Sequence, residues 1–330
     1  MVSRAVALDA TDERAERYRR AERALWNRYG LEPVERFVEL DSPSVRLRVQ
    51  EVGSGEPALF IHGGLYPGAV VASLAHELAG YRLIALDRPG CGLSSAIDWR
   101  GRDHGQLVTE VMGSLVDALG LERTHVIGHS IGAVWGLRLA AARPSRIGRI
   151  GILGASPVLP EMQPPSFLRT LASPVGAIIT RLPQMKGMVR SILRQDGHGS
   201  SLDAGLIPDE LFEWHMALMR NTGTLRNERA MIRDAVIGRE GWRPGLTFEA
   251  PELAEIRQPT LYVIGTADPE GSVDYARHVV EQLPNAELRV IGRGHVPWFD
   301  DAPTVGQALR EFLGGQESAG SIDATLPIHS

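Results

Sequence analysis

From residue 57 onward the chain alternates short, continuous apolar runs with longer stretches in which apolar positions recur at helical spacing. Short, largely apolar runs bounded by turn formers read as strands buried on both faces, and the stretches between them as helices covering a parallel sheet. The predicted strands are Ala58–Ile61, Arg82–Leu86, His125–Ile127, Ile147–Leu153, Thr260–Ile264 and Glu287–Ile291. Helices are predicted near 67–79, 103–119, 131–142, 273–283 and 303–313. Ahead of them, Val34–Leu40 and Val45–Val52 alternate apolar and polar residues around Asp41-Ser42-Pro43-Ser44, the pattern of an antiparallel hairpin. Residues 12–29 read as a charged amphipathic helix that docks through Ala15, Tyr18, Leu25 and Trp26. Together these elements predict a doubly wound α/β architecture.

The rhythm breaks between 157 and 250, a stretch too long for one crossover and mostly helical in pattern. Pro157, Pro160, Pro164 and Pro165 crowd its entrance, and Pro244 and Pro251 mark its return. An inserted helical cap is the natural reading. It carries Met162, Met185, Met188, Met216, Met219 and Met231 with Phe167, Phe212, Trp214, Trp242 and Phe248. Most of these are expected to pack helices; together they suit an adaptable apolar pocket. The division is therefore 1–33, a helical extension; 34–156 and 251–314, the core; 157–250, the cap; and 315–330, a polar tail expected to be flexible.

Composition narrows the function classes. At 43% hydrophobic content and 330 residues the chain can bury a sizeable core, and no apolar run approaches the length of a membrane span. The charged N-terminus lacks the apolar centre of a signal peptide, so a cytoplasmic protein is expected. A net charge of −5, interspersed in sign, offers no basic stripe for nucleic acid. Cys91 is the single cysteine, which excludes an intrachain disulfide and a multi-thiolate zinc site. Lys186 is the only lysine, a bias without functional weight.

Candidate chemistry centres on Gly128-His129-Ser130-Ile131-Gly132, a G-x-S-x-G run between a predicted strand and a predicted helix. Such a turn lifts the serine hydroxyl out at the carboxyl end of the sheet, and its glycines make room for neighbouring elements. The Ile131 N–H at the helix start can face an oxyanion. A serine nucleophile needs a histidine base and an orienting carboxylate. His295 follows the last predicted strand in a glycine-rich loop and is preferred to His129, which adjoins Ser130 and should point away from it. Asp268 lies just past the preceding strand; Glu161 is its rival, while Asp300 and Asp301 read as a solvated turn or helix cap. In His62-Gly63-Gly64-Leu65 the Gly64 N–H is the first candidate for a second oxyanion donor and Leu65 the alternative. His62 is read as structural, Asp87–Ser94 as a rim loop, and Cys91 as no nucleophile. Leu65, His129, Met216, Met219 and Trp298 are expected to line a substrate pocket.

The order Ser130, Asp268, His295, with His62-Gly63-Gly64, Asp87–Ser94, Gly265–Asp268 and Gly292–His295 around it, resembles the α/β-hydrolase superfamily over about residues 34 to 314. The resemblance implies a mostly parallel eight-stranded sheet with helices on both faces, a cap inserted after the sixth strand, and no cofactor or metal. Haloalkane dehalogenases and epoxide hydrolases of that fold carry an aspartate where this chain has Ser130, which argues against both activities. A serine esterase acting on a small to medium, largely apolar ester is the leading expectation. The same machinery suits a thioester, an amide, a lactone or a C–C bond beside a ketone; from another class, a non-catalytic ligand receptor. A small-molecule substrate is the expected partner, neither nucleic acid nor membrane is, and a homodimer is left open.

Overall fold

The computed structural model describes residues 12–180, 185–237, 241–243 and 245–315; the predicted tail beyond Gly315 lies outside them. The eight core strands are β1 (Val34–Asp41), β2 (Ser44–Val52), β3 (Glu56–Ile61), β4 (Tyr81–Asp87), β5 (Thr124–His129), β6 (Ile147–Leu153), β9 (Thr260–Ile264) and β10 (Ala286–Val290). They form one sheet in the order β1-β2-β4-β3-β5-β6-β9-β10. β1 pairs antiparallel with β2, β2 antiparallel with β4, and every later pairing is parallel. β3, β5 and β9 are almost wholly buried, as continuous Val/Ile/Leu runs covered on both faces must be.

Two helical layers cover the sheet. On one side pack α3 (His104–Ala118) and α4 (Ile131–Ala142). On the other lie α2 (Ala72–Glu77), α13 (Pro297–Leu313) and, outermost, α1 (Glu13–Asn27), while α12 (Val273–Gln282) flanks β9 and β10. The expected anchors Ala15, Tyr18, Leu25 and Trp26 of α1 are all buried. Glu22 of α1 also reaches the sheet, where the buried Arg48 guanidinium holds both Glu22 and Asp87. The Arg48 cation offsets the two like-charged carboxylates, while burial, with the Glu22 charge adding, pushes the Asp87 pKa up to about 6.

Between β6 and β9 the chain leaves the sheet for α5 (Ser166–Ala172), α6 (Pro174–Ile179), α7 (Lys186–Leu193), α8 (Gly199–Asp203), α9 (Asp209–Asn221), α10 (Thr224–Ala235) and α11 (Ala250–Ala254). A small antiparallel ribbon of β7 (Val236–Ile237) and β8 (Gly241–Trp242) interrupts this otherwise helical insertion.

The last helix is longer than the pattern predicts. It begins at Pro297 rather than 303 and bends at Asp301, whose carboxylate accepts the Thr304 N–H and restarts the helix past Pro303. Asp300 is no solvated turn: its side chain is 6% exposed. One carboxylate oxygen accepts from His198 Nδ1 (2.8 Å) and Ser201 Oγ (2.5 Å), the other from the Arg293 and Gly294 amides (both 2.8 Å). It thus ties the insertion to the loop carrying His295. Among the described residues no helix is long and apolar enough to cross a membrane.

Candidate active site

β5 ends at His129 and α4 begins at Ile131, so Ser130 alone makes the turn. Its φ of 52° and ψ of −128° lie in a region that residues with a side chain seldom occupy, a strain held by the surrounding packing. The two flanking glycines explain how the turn fits. A Cβ on Gly128 would sit 2.3 Å from Ala133 Cα, and one on Gly132 would sit 2.1 Å from the Ile61 carbonyl oxygen. Neither backbone atom can move aside, so the sequence requirement is steric.

His295 and Asp268 meet at the same sheet end. The imidazole Nδ1 is 3.1 Å from both oxygens of Asp268; a carboxylate only accepts, so Nδ1 carries the proton and Nε2 is left as the basic nitrogen. Asp268 Oδ2 also accepts the Ala155 N–H at 2.7 Å, and Oδ1 accepts the Glu270 N–H at 2.9 Å. Asp268 therefore shapes its own turn and orients the histidine together. Burial raises its pKa, but the His295 charge and hydrogen bond and the two amides outweigh burial and hold it below the usual carboxylate range. Glu161, the rival acid, is half exposed and pairs with His278 at 3.3 Å instead.

The face of His295 directed at the cavity meets a second carboxylate, which the sequence reading missed. Glu270 Oε1 lies 3.4 Å from Nε2, and Glu270 accepts no hydrogen bond among the described residues. Ser130 Oγ likewise makes none there. Burial lowers the His295 pKa, yet Glu270 first, then Asp268 and Asp196, outweigh it and push it up to about 10. Glu270 itself is pushed up to about 7, chiefly by burial, with His295 opposing and Asp196 and Asp268 adding.

Facing the elbow, the loop after β3 brings Gly64 and Leu65 to the wall that holds Ser130, Ile131 and His295. The N–H groups of Gly64, Leu65 and Ile131 have no backbone acceptor among the described residues. Leu65 sits at φ 59°, the strained position of this loop. His62 has the structural place expected of it: buried, its Nε2 accepts the Arg88 N–H at 2.9 Å. Cys91 is buried against Glu228; burial first, and then the Glu228 charge, raise its thiol well above the ordinary range and keep it protonated.

These groups open onto a cavity of about 670 Å³ beneath the insertion. Leu65, Met162, Met188, Met219 and Met231 line it, and the aromatic residues include Trp135 and Trp242. Three residues expected in the pocket do not line it. His129 points the other way from Ser130, donating from Nε2 to the His295 carbonyl (3.0 Å) and meeting Trp298 edge to face, where desolvation keeps it neutral. Trp298 donates to the Val70 carbonyl and lines a smaller cavity of about 330 Å³ near α1. Met216 is buried in the core, because the cavity stripe of α9 runs through His215 and Met219, four residues apart, and Met216 lies about 100° round from His215. Asp196, Glu228 and Glu270 line the cavity, as does Tyr66, whose hydroxyl reaches Asp196 Oδ2 at 3.4 Å. No arginine or lysine among the described residues lines it.

An eight-stranded sheet with a serine at the β5–α4 turn and a carboxylate–histidine pair past its later strands defines a class, the alpha/beta hydrolase family. The chain belongs to this family: residues 58–307 match its sequence model. Two curated relatives are particular cases. A 2-hydroxy-6-oxononadienedioate/2-hydroxy-6-oxononatrienedioate hydrolase of Burkholderia vietnamiensis is 26% identical over 280 residues, spanning 83% of this chain and 92% of its own. A 2-hydroxy-6-oxo-6-phenylhexa-2,4-dienoate hydrolase of Burkholderia cepacia is 26% identical over 276 residues, spanning 81% and 91%. Among solved structures, carboxylesterase CesB of Bacillus subtilis superposes with a TM-score of 0.72 at 18% identity, covering 93% of this chain and 100% of its own. At that identity the likeness speaks for the fold alone. Hydrolase is the activity common to these proteins, and this chain is a hydrolase of that family.

Proposed function

We propose that the protein is a serine esterase that cleaves a small to medium, largely apolar carboxylic ester through an acyl-enzyme. The observation that carries this reading is the Asp268–His295 pair opening, with the strained Ser130, onto an apolar cavity. His295 Nε2 takes the hydroxyl proton as Ser130 Oγ attacks the ester carbonyl carbon. The carbonyl oxygen becomes an alkoxide held by the N–H groups of Ile131 and Gly64, with Leu65 as the alternative donor. Collapse expels the alcohol, which leaves with the proton returned by His295. Water, deprotonated by the same nitrogen, then releases the acid. For the first step Nε2 must exchange Glu270 for Ser130.

A C–C bond hydrolase is the second reading, favoured by the names of the curated relatives. Those substrates are dienoates and dienedioates and bring one or two carboxylates into the pocket. The lining gives this reading less support: three carboxylates face the cavity, and no arginine or lysine among the described residues lines it. A fluorophosphonate probe should label Ser130 and leave Ser130→Ala unlabelled. Aryl esters of increasing chain length should then be hydrolysed faster than a 2-hydroxy-6-oxo-dienoate followed by its absorbance. Labelling elsewhere, or a dienoate turned over faster than every ester, would reverse the order of the two readings.

A further inference from the structure

We propose that the cavity takes an ester carrying a positively charged nitrogen, a protonated amine or quaternary ammonium, near its reacting carbonyl, with Glu270 as the carboxylate that receives it. This rests on the esterase reading and names the substrate class within it. Three carboxylates line the cavity, and their existing partners leave room for a cation. Glu228 gives Oε1 to Arg88 Nη2 (3.0 Å) and to the Cys91 thiol (2.9 Å), but its Oε2 is buried without a partner. That oxygen lies 3.5 Å from the point a Cβ on Gly64 would occupy, so it faces the oxyanion loop. Asp196 is reached by the Tyr66 hydroxyl at 3.4 Å. The Glu270 side chain has neither a hydrogen bond nor a lysine or arginine partner among the described residues; the cation paired with it there is His295, through Nε2, while Asp196 and Asp268 add negative charge nearby.

A carboxylate held out of water is costly unless it is paired, and the nitrogen now pairing with Glu270 is the one the serine needs. A substrate cation resolves that conflict. It would take over Glu270, remove the negative field that favours the imidazolium, and leave Nε2 neutral and free for Ser130. Tyr66, Trp135 and Trp242 line the same cavity, and aromatic rings attract a desolvated ammonium placed over them.

The test compares 2-(trimethylammonio)ethyl butanoate with 3,3-dimethylbutyl butanoate, two esters of one shape that differ in charge. For the wild-type protein kcat/KM should favour the cation about tenfold or more, the scale of a desolvated cation–carboxylate or cation–aromatic contact. In Glu270→Gln that ratio should collapse toward one, and in Glu270→Asp, which keeps the charge, it should persist. Equal rates in the wild type, or a ratio that survives Glu270→Gln, would overturn the proposal while leaving the esterase reading intact. If neither ester is hydrolysed the esterase reading fails, and binding decides the inference. Ser130→Ala protein should bind choline more tightly than 3,3-dimethylbutan-1-ol by calorimetry, and should lose that difference with Glu270→Gln added. Equal binding of the two alcohols would sink it.

Discussion

Replacing Glu270 by Gln should make the enzyme faster at neutral pH on a neutral ester, although it removes a carboxylate from the active site. The base His295 works only as neutral imidazole, and Glu270 Oε1, 3.4 Å from Nε2, favours the imidazolium. The Coulomb energy of unit charges at that distance is about 1.2 kcal/mol at the dielectric of water and about 5 kcal/mol at an effective dielectric of 20. At about 1.36 kcal/mol per pH unit this is a shift of roughly one to three and a half units. The limb lies above the pKa of Glu270, which is raised to about 7, so Glu270 is ionised where the effect is read and its full charge acts on Nε2. Glutamine is nearly isosteric and uncharged, so the imidazole stays neutral to lower pH and the ascending limb moves acidwards. The assay is kcat/KM for a neutral aryl ester from pH 5 to 11. In the wild type the limb should rise above the ordinary imidazole range, toward about 10, and in the variant it should lie at least about one unit lower. A limb that stays in place, or moves to higher pH, would refute the reasoning.

Asp268→Asn should act in the opposite sense at every pH, lowering kcat by about 10³- to 10⁴-fold because the orienting acceptor of His295 Nδ1 is lost. Asp300→Ala strands His198, Ser201 and two loop amides; urea denaturation should show a loss of about 3–5 kcal/mol. Gly132→Ala drives a methyl into the Ile61 carbonyl, so the variant should be recovered largely unfolded, or with a melting temperature several degrees lower. Met219→Trp should narrow the cavity and shift the chain-length optimum toward shorter acyl groups, at little cost in melting temperature, because Met219 lies on the cavity wall.

The parts legible in the sequence are those where local chemistry leaves one solution. A strand buried on both faces has to be apolar throughout, so β3, β5, β6 and β9 stand out without any partner in view. The elbow is legible because Gly128 and Gly132 answer to backbone contacts that no side chain could share. Asp268 and His295 are found by asking which acid and base end consecutive strands. The cap withholds its geometry because its helices are covered on more than one side. In α9, Met219 and His215 face the cavity and Met216 the core, and the sequence marks neither side as the pocket. Asp196 and Glu228 lie on such helices or at their ends and look like solvated polar positions. Glu270 was within reach, since a carboxylate two residues past an acid that turns toward His295 shares its loop. Asp300 was misread because a charged pair before proline usually caps a helix at the surface, and here it holds two buried segments together.

The fold does not separate ester from C–C hydrolysis, since a carboxylesterase and a dienoate hydrolase superpose on the same sheet and function belongs to the site rather than the fold. What separates them physically is the charge a pocket must accept. A dienoate entering this cavity would bring its carboxylate beside Asp196, Glu228 and Glu270, of which Glu228 is already paired with Arg88 and Glu270 with His295, and a buried like-charge pair costs several kcal/mol unless one member is protonated or neutralised. An apolar ester avoids that cost, and a cationic one turns the same three groups from a penalty into an attraction. The contradiction at His295, a base whose working nitrogen faces a carboxylate instead of its serine, then has a function: the site idles as an ion pair until a substrate of the right charge replaces one half of it.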